Sequence, residues 1–294
     1  MSAALQRILR VPLTVAVVWG ILAVAVPLAM TQYPPYLVRP GLNCVAAGPR
    51  ILVNGVAVCR SLADLYHLSF VDLFVDSMFR SLALLVGAAV LALTVGTLLG
   101  VLAALLRRRA VASGAIVAVT TLLTAVPAFF VAYFLQIAVI VVGANAEGGN
   151  LLPVFGFGYD GHLVLPLLSV SLPAIAYTAQ LTATRMVEVL DADFMTTAAA
   201  KGLRTSWILA VHVLPHVRPV LLEALGSGLR VSVASLPIVE YLFNWRGIGQ
   251  LALEAVGVHD AAGFVFSAVV LAALFATLSA MADLSRPRAL FPST

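Results

Sequence analysis

Few side chains in this sequence can do chemistry, and three of them share one apolar run. Glu223, Ser227 and Arg230 stand four and then three residues apart within 219–241. On a straight helix, residues seven apart lie within about 20° of each other, so the three form one stripe. Ala234, a turn further on, ends it. Glu223 and Arg230 are about 10 Å apart along the axis, a gap that long side chains narrow but strain to close. An ionisable group inside a membrane is costly enough to imply a use, and a fixed Arg230 could attract the carboxylate of a passing solute. The alternative is that Glu223 and Arg230 neutralise each other as internal glue. Gln136 and Gln180 are further polar candidates for a pathway lining, with Thr178, Thr182 and Thr184, although a threonine often bonds to its own helix. Ser232 and Ser235 add polar groups to the run that holds Arg230.

Other chemistries lack their parts. A phosphate-binding loop needs Gly-Lys-Ser/Thr, and the chain's single lysine, Lys201, lies between Ala200 and Gly202. The sequence therefore holds no nucleotide site or cofactor of its own. His212 and His216 are four apart, but Pro215 interrupts their helix and no carboxylate or thiolate is close in sequence, so no metal site is expected. An intramembrane serine protease is the remaining enzymatic alternative. It needs a histidine buried opposite a serine such as Ser227, and all five histidines fall in loops or near the ends of apolar runs.

These residues are carried by membrane-spanning elements. Hydrophobic residues make up 62% of the 294 and charged residues 10%. An ordinary soluble protein carries about 25% charged residues, so this chain cannot cover a water-facing surface. The net charge of +4 is no nucleic-acid footprint, because the arginines are scattered between apolar runs. Apolar runs at 11–30, 79–106, 113–142, 162–184, 219–241 and 263–284 can each cross a hydrocarbon core of about 30 Å. The third is long enough to tilt or to include re-entrant flanks. The expected fold is an all-α polytopic membrane protein with about six transmembrane helices. Its parts are an N-terminal segment and first helix (1–30), an outer loop (31–78), a transmembrane domain (79–284) and a tail (285–294).

Arginine placement orients the chain. The N-terminus, Arg107 to Arg109, the 185–218 loop and Arg286/Arg288 hold eleven of the 17 basic residues. The positive-inside tendency then puts both termini in the cytoplasm, with Glu223 near that side and Arg230 deeper. The loop at 31–78 faces outward. In it, Asn54-Gly55 between β-branched runs signals a β-hairpin. The only two cysteines, Cys44 and Cys59, flank that hairpin in a compartment that permits oxidation. Spacing leaves both a disulfide and two free thiols open.

On the cytoplasmic side, charge returns in the stretch DADFMTTAAAKGLRTSWILAVHVLPHVRP (191–219). Asp193 is placed to cap a short helix over Thr196–Lys201, which Gly202 ends with a left-handed residue. A second helical run, Trp207–Leu214, is expected to stop at Pro215. Two short helices around a glycine, between two spans, make a knob for a partner.

At these residues the sequence resembles a known family. Ala198-x3-Gly202 followed by Leu214-Pro215 is similar to the cytoplasmic loop of ABC-importer permeases. More narrowly, Arg185-Met186-x-Glu188-Val189-Leu190, Asp193, Thr197-Ala198-x-Ala200-Lys201-Gly202-Leu203 and His212 resemble the B-type permease of the dipeptide/oligopeptide/nickel branch. Pro127, Leu152-Pro153, Pro166, Pro173, Val239-Glu240 and Phe243-x-Trp245-x-Gly247-Ile248-Gly249 extend the likeness. Thr196-Thr197, Pro215-His216 and Arg286-Pro287-Arg288 depart from it.

The resemblance implies a multi-pass subunit of the bacterial inner membrane, with residues 191–215 as the ATPase-coupling loop (Asp193, Thr196, Thr197, Ala198, Ala200, Lys201, Gly202, Leu203, His212, Leu214 and Pro215). It implies a second permease, two ATP-binding subunits that hold ATP and Mg, an external substrate-binding protein and surrounding lipid as partners. The cargo would be short peptides, or alternatively nickel chelates or other solutes. If Cys44 and Cys59 do pair, they close a loop of about fifteen residues, worth about 3 kcal/mol in the chain-entropy model. Maleimide labelling of the unreduced, undenatured protein is then expected to modify neither thiol, and full reaction of both would rule the bridge out.

Overall fold

The structure, a computed structural model, describes residues 3–30, 51–53, 56–58, 61–145, 152–193, 195, 207, 214–258 and 260–285. Helix α1 (Ala3–Met30) is apolar between Val11 and Val26 and packs along the last helix of the chain. Strands β1 (Ile51–Val53) and β2 (Val56–Val58) pair antiparallel with Ile51 opposite Val58. Residues 54 and 55 between them lie outside the described residues, as do Cys44 and Cys59.

After a short α2 (Leu62–Tyr66), helix α3 (Phe70–Leu91) begins nine residues before the apolar run that announces it. Ser69 accounts for the early start: its side chain accepts from Asp72 N at 3.1 Å and so caps the first turn. A π-helical turn (Ala92–Gly96) joins α3 to α4 (Thr97–Leu105), giving one rod of 36 residues. At about 1.5 Å per residue the rod is longer than the bilayer core is thick.

The run at 113–142 is not one straight helix. It divides into α5 (Ala110–Ala125) and α6 (Ala128–Ala144), bent by 102°. Pro127 stands at the break, since it cannot donate to the hydrogen-bond ladder and disfavours a helical residue before it. The remaining helices are α7 (Val164–Leu190), α8 (Leu214–Phe243), α9 (Ile248–Val258) and α10 (Ala261–Ser285). Among the described residues, four helical rods are long and apolar enough to cross a membrane, and the bent pair makes a fifth if it counts as one span.

Helix α7 is the axis of the bundle. It touches every helix from α3 to α6, and α8 on another side. Lipid offers no hydrophobic reward for helix association, so close backbone approach has to supply the packing. Glycines allow it. A Cβ at Gly96 would lie 2.8 Å from Ile175 O, and one at Gly100 would lie 2.6 Å from Ala179 O. Both numbers rise by four together, so α4 and α7 run parallel. On α8, a Cβ at Gly228 would meet Ala174 Cα of α7 at 2.5 Å, and one at Gly226 would meet Leu278 O of α10 at 2.9 Å. Helix α8 is thus gripped from two sides.

Gly228→Ala is expected to push α8 off α7 and lower the melting temperature of the detergent-solubilised protein, an overpacking cost of about 1–3 kcal/mol. Gly114→Ala meets nothing within 4 Å and should leave it unchanged. Equal melting temperatures for the two variants would contradict the α7–α8 contact.

Candidate functional site

Among the described residues, the two grips on α8 leave one of its faces half-covered to exposed. Gly226 faces α10, while Gly228 and Ser232 face α7, where Ser232 Oγ donates to Val170 O at 2.7 Å. Between these directions lie Glu223, Ser227 and Arg230, all half-buried, and then Ala234, Ile238 and Tyr241, all exposed. The helix period that aligns them also turns them away from α7 and α10 together. Arg230 Nη2 donates to Ser227 Oγ at 3.1 Å, so the serine's neighbour here is a cation rather than a histidine. The face is polar toward the start of α8 and apolar toward its end.

The two glutamines sit elsewhere. Gln136 is buried and donates from Nε2 to Leu242 O at 2.9 Å, which ties α6 to the end of α8. Gln180 Nε2 donates to Thr121 Oγ1 at 3.2 Å and joins α7 to α5. Thr178 and Thr182 are fully buried where Gly96 and Gly100 press on α7, and Thr184 bonds to Gln180 O of its own helix.

At the end of the bundle where α7 stops, Asp191 closes the helix and Asp193, Met195 and Trp207 are helical. Asp193 is therefore already inside a helical turn instead of capping one from outside. Leu214 and Pro215 both lie within the described part of α8, so the helix that holds them does not stop at Pro215. Thr196, Thr197, Ala198, Ala200, Lys201, Gly202, Leu203 and His212 lie outside the described residues. Below this junction Met186 and Val189 of α7, Ala104 of α4 and Val217 of α8 form one apolar cluster, with Met195 packed against it.

The other end is closed by a buried carboxylate. Glu240, fully buried near the end of α8, accepts from Ser81 Oγ of α3 at 2.5 Å. It also accepts from Gly249 N at 2.8 Å and Gln250 N at 3.1 Å, the opening amides of α9. Ile248 N donates to Ser81 Oγ at 2.8 Å, so the serine completes the cap. A negative group suits a helix N-terminus, whose amides are unpaired and carry partial positive charge.

The turn from α8 to α9 is built for this approach. A Cβ at Gly247 would fall on the Glu240 carboxylate, and one at Gly249 would lie 2.7 Å from Pro237. Asn244 and Arg246 take left-handed backbone, with φ of 54° and 58°. Trp245 is buried beneath the turn and donates from Nε1 to Arg80 O at 3.1 Å.

Two more carboxylates extend the lock. Glu254 of α9 accepts from Tyr66 OH at 2.5 Å and from Gln250 Nε2 at 2.9 Å. Asp260 accepts from Leu62 N at 2.9 Å and Gly263 N at 2.8 Å, and so serves the first turns of α2 and α10 at once. The Val239-Glu240 and Trp245-x-Gly247-Ile248-Gly249 signature marked this place in the sequence. Nothing near it in the sequence pointed to Ser81, 159 residues away. Among the described residues, no group of three His, Cys, Asp or Glu is arranged to hold a metal ion.

The family model described as binding-protein-dependent transport system inner membrane component matches residues 96–290. The chain belongs to this family. It is a multi-pass protein of the inner membrane, and the family leaves the serine-protease alternative without support.

Among curated relatives, a probable peptide ABC transporter permease of Sinorhizobium fredii is 30% identical over 70% of this chain and 66% of its own length. The metal-staphylopine import system permease CntB of Staphylococcus aureus is 27% identical over 71% and 64%. The glutathione transport system permease GsiC of Escherichia coli is 31% identical over 37% and 36%. The chain spans just under two thirds of the length of the first two. Its fold matches that of an inward-facing MetNI methionine ABC transporter structure, with a TM-score of 0.58 at 16% identity over 72% of this chain and 94% of that one.

Removing the carboxylate in Glu240→Ala strands Ser81 and two buried amides, at about 1–3 kcal/mol for each unsatisfied group. A sharp fall in melting temperature is expected, with faster proteolysis between residues 244 and 247. Glu240→Gln keeps an acceptor and should fall less. A Glu240→Ala protein as stable as the parent would show that the cap does not hold α9.

Proposed function

We propose that the chain is one membrane subunit of a bacterial ATP-driven importer of the ABC class, and that it carries short peptides. The observation behind this reading is the half-covered to exposed face of α8, where a half-buried Arg230, Ser227 and Glu223 lie along a membrane-spanning helix. A second, similar permease facing this surface would enclose a passage with a fixed positive charge in it. A cation in a low-dielectric wall attracts the carboxylate of a peptide without a chemical step.

Counting Val11–Val26 and the bent α5–α6 pair as spans brings the total to six, with both termini cytoplasmic. Residues 191–215 would then face two ATP-binding subunits, which supply ATP and Mg chemistry that this chain lacks. The 31–78 segment, with its paired strands, would meet an external binding protein that delivers the solute. ATP-driven closure of the ATPases moves the coupling loop, and the spans rock between outward and inward openings. Family relatives named for peptide, glutathione and metal-staphylopine transport support a solute-import role. Metal chelates are the second cargo, favoured by the Staphylococcus relative.

Arg230→Gln tests the reading. A pathway role predicts near-normal thermal stability with reduced uptake, most severely for peptides rich in Asp and Glu. Loss of stability, restored by adding Glu223→Gln, would instead make Arg230 structural.

A further inference from the structure

Helices α4 and α7 run parallel, and their C-termini arrive side by side at the end that leads into the coupling loop. Each C-terminus carries partial negative charge from unpaired carbonyls, and neither helix has a basic residue in its last turn. Asp191, which closes α7, adds a full negative charge where it is least welcome. Arg107, in the turn just past α4, reaches across, and its Nη2 lies 3.3 Å from Asp191 Oδ1.

The turn that carries Arg107 is itself fastened. Arg109 N donates to Leu106 O at 2.7 Å, and Ser113 Oγ of α5 donates to Ala103 O at 3.0 Å. Met195, four residues beyond Asp191, packs on the α4–α7–α8 apolar cluster. Among the described residues, Met195 and Asp191 thus tie the root of the coupling loop to its surroundings by an apolar and an ionic contact. An apolar contact has no preferred direction and permits sliding, whereas an ion pair resists separation of its two charges. The pair is also solvent-exposed, with side chains 27% and 61% accessible, so it adds little to folding.

We propose that Arg107 is a positioning residue: its pairing with Asp191 locks the coupling loop to the α4–α5 turn, so that a displacement of the loop moves α4 together with α7. Without it, the loop shifts on its apolar seat and less of its displacement reaches the α4–α5 turn. This rests on the transport reading above.

The test uses the whole complex, with second permease, ATPases and binding protein, in proteoliposomes with dialanine as the probe. ATP hydrolysis and dialanine uptake are measured together, with a melting curve for each variant. Arg107→Glu is expected to keep ATP hydrolysis within about twofold of the parent, while the ATP consumed per dialanine imported rises several-fold. Arg107→Gln, which removes the charge without reversing it, should give an intermediate ratio. The exchange Arg107→Glu with Asp191→Arg should bring the ratio back toward the parent's.

A fall in hydrolysis and uptake by the same factor in Arg107→Gln, or an exchange that fails to restore the ratio, would overturn the latch while leaving the transport reading intact. A parent complex that neither hydrolyses ATP nor imports peptide would overturn both.

Discussion

In a bilayer the helices of this protein gain nothing by hiding from water, so the bundle depends on how closely their backbones approach α7. Gly96 and Gly100 bring α4 against it, and Gly228 brings α8 against it from another side. At those separations even a methyl group would displace a neighbouring backbone. The helices cannot slide or rotate freely past one another there, because each contact is backbone against backbone. The π-helical turn at Ala92–Gly96 falls at the first of these contacts. A local change of helical pitch sets the phase with which Gly96 and Gly100 both meet α7.

From that fixed axis the two ends of the bundle are made differently. Where α8 ends, the junction is sealed by buried carboxylates: Glu240 caps α9, and Asp260 serves α2 and α10. Each carboxylate has its acceptor sites filled by backbone amides or hydroxyls, as a low-dielectric setting requires. Such a network resists small displacements, since moving any helix leaves a buried polar group unpaired. Where α7 ends, the contacts among the described residues include an apolar cluster and exposed ion pairs. Exposed pairs of this kind add little to folding stability.

Much of the bundle was legible as apolar runs, and the exceptions have physical causes. Helix α9 was missed because eleven residues are too short for a span and its cap, Glu240, lies in the preceding helix. The early start of α3 was hidden because Asp72 and Asp76 lie before the apolar run, although a capped helix already includes them. The 113–142 run was long enough to tilt or include re-entrant flanks, but the 102° between α5 and α6 depends on where α7 and α8 receive them. Gln136 read as a pathway residue because it is polar within an apolar run. Its partner, Leu242 O, is 106 residues away and cannot be inferred from spacing. The Glu223–Ser227–Arg230 alignment was readable because it needs only the helical period.

That alignment acquires meaning only from the grips on either side of it. A polar stripe on an isolated helix could face anything, and its orientation would follow whichever neighbour paired it. On α8 two glycines commit opposite sides to α7 and α10, so the stripe has one direction left. Rotating the helix to bury Arg230 inside this chain would drive Gly228 away from Ala174 and break the Ser232 bond to Val170. The close packing that stabilises the bundle therefore also keeps its charged groups turned outward. A membrane protein cannot present those groups to lipid without penalty, and in the proposed assembly a second permease would lie opposite them.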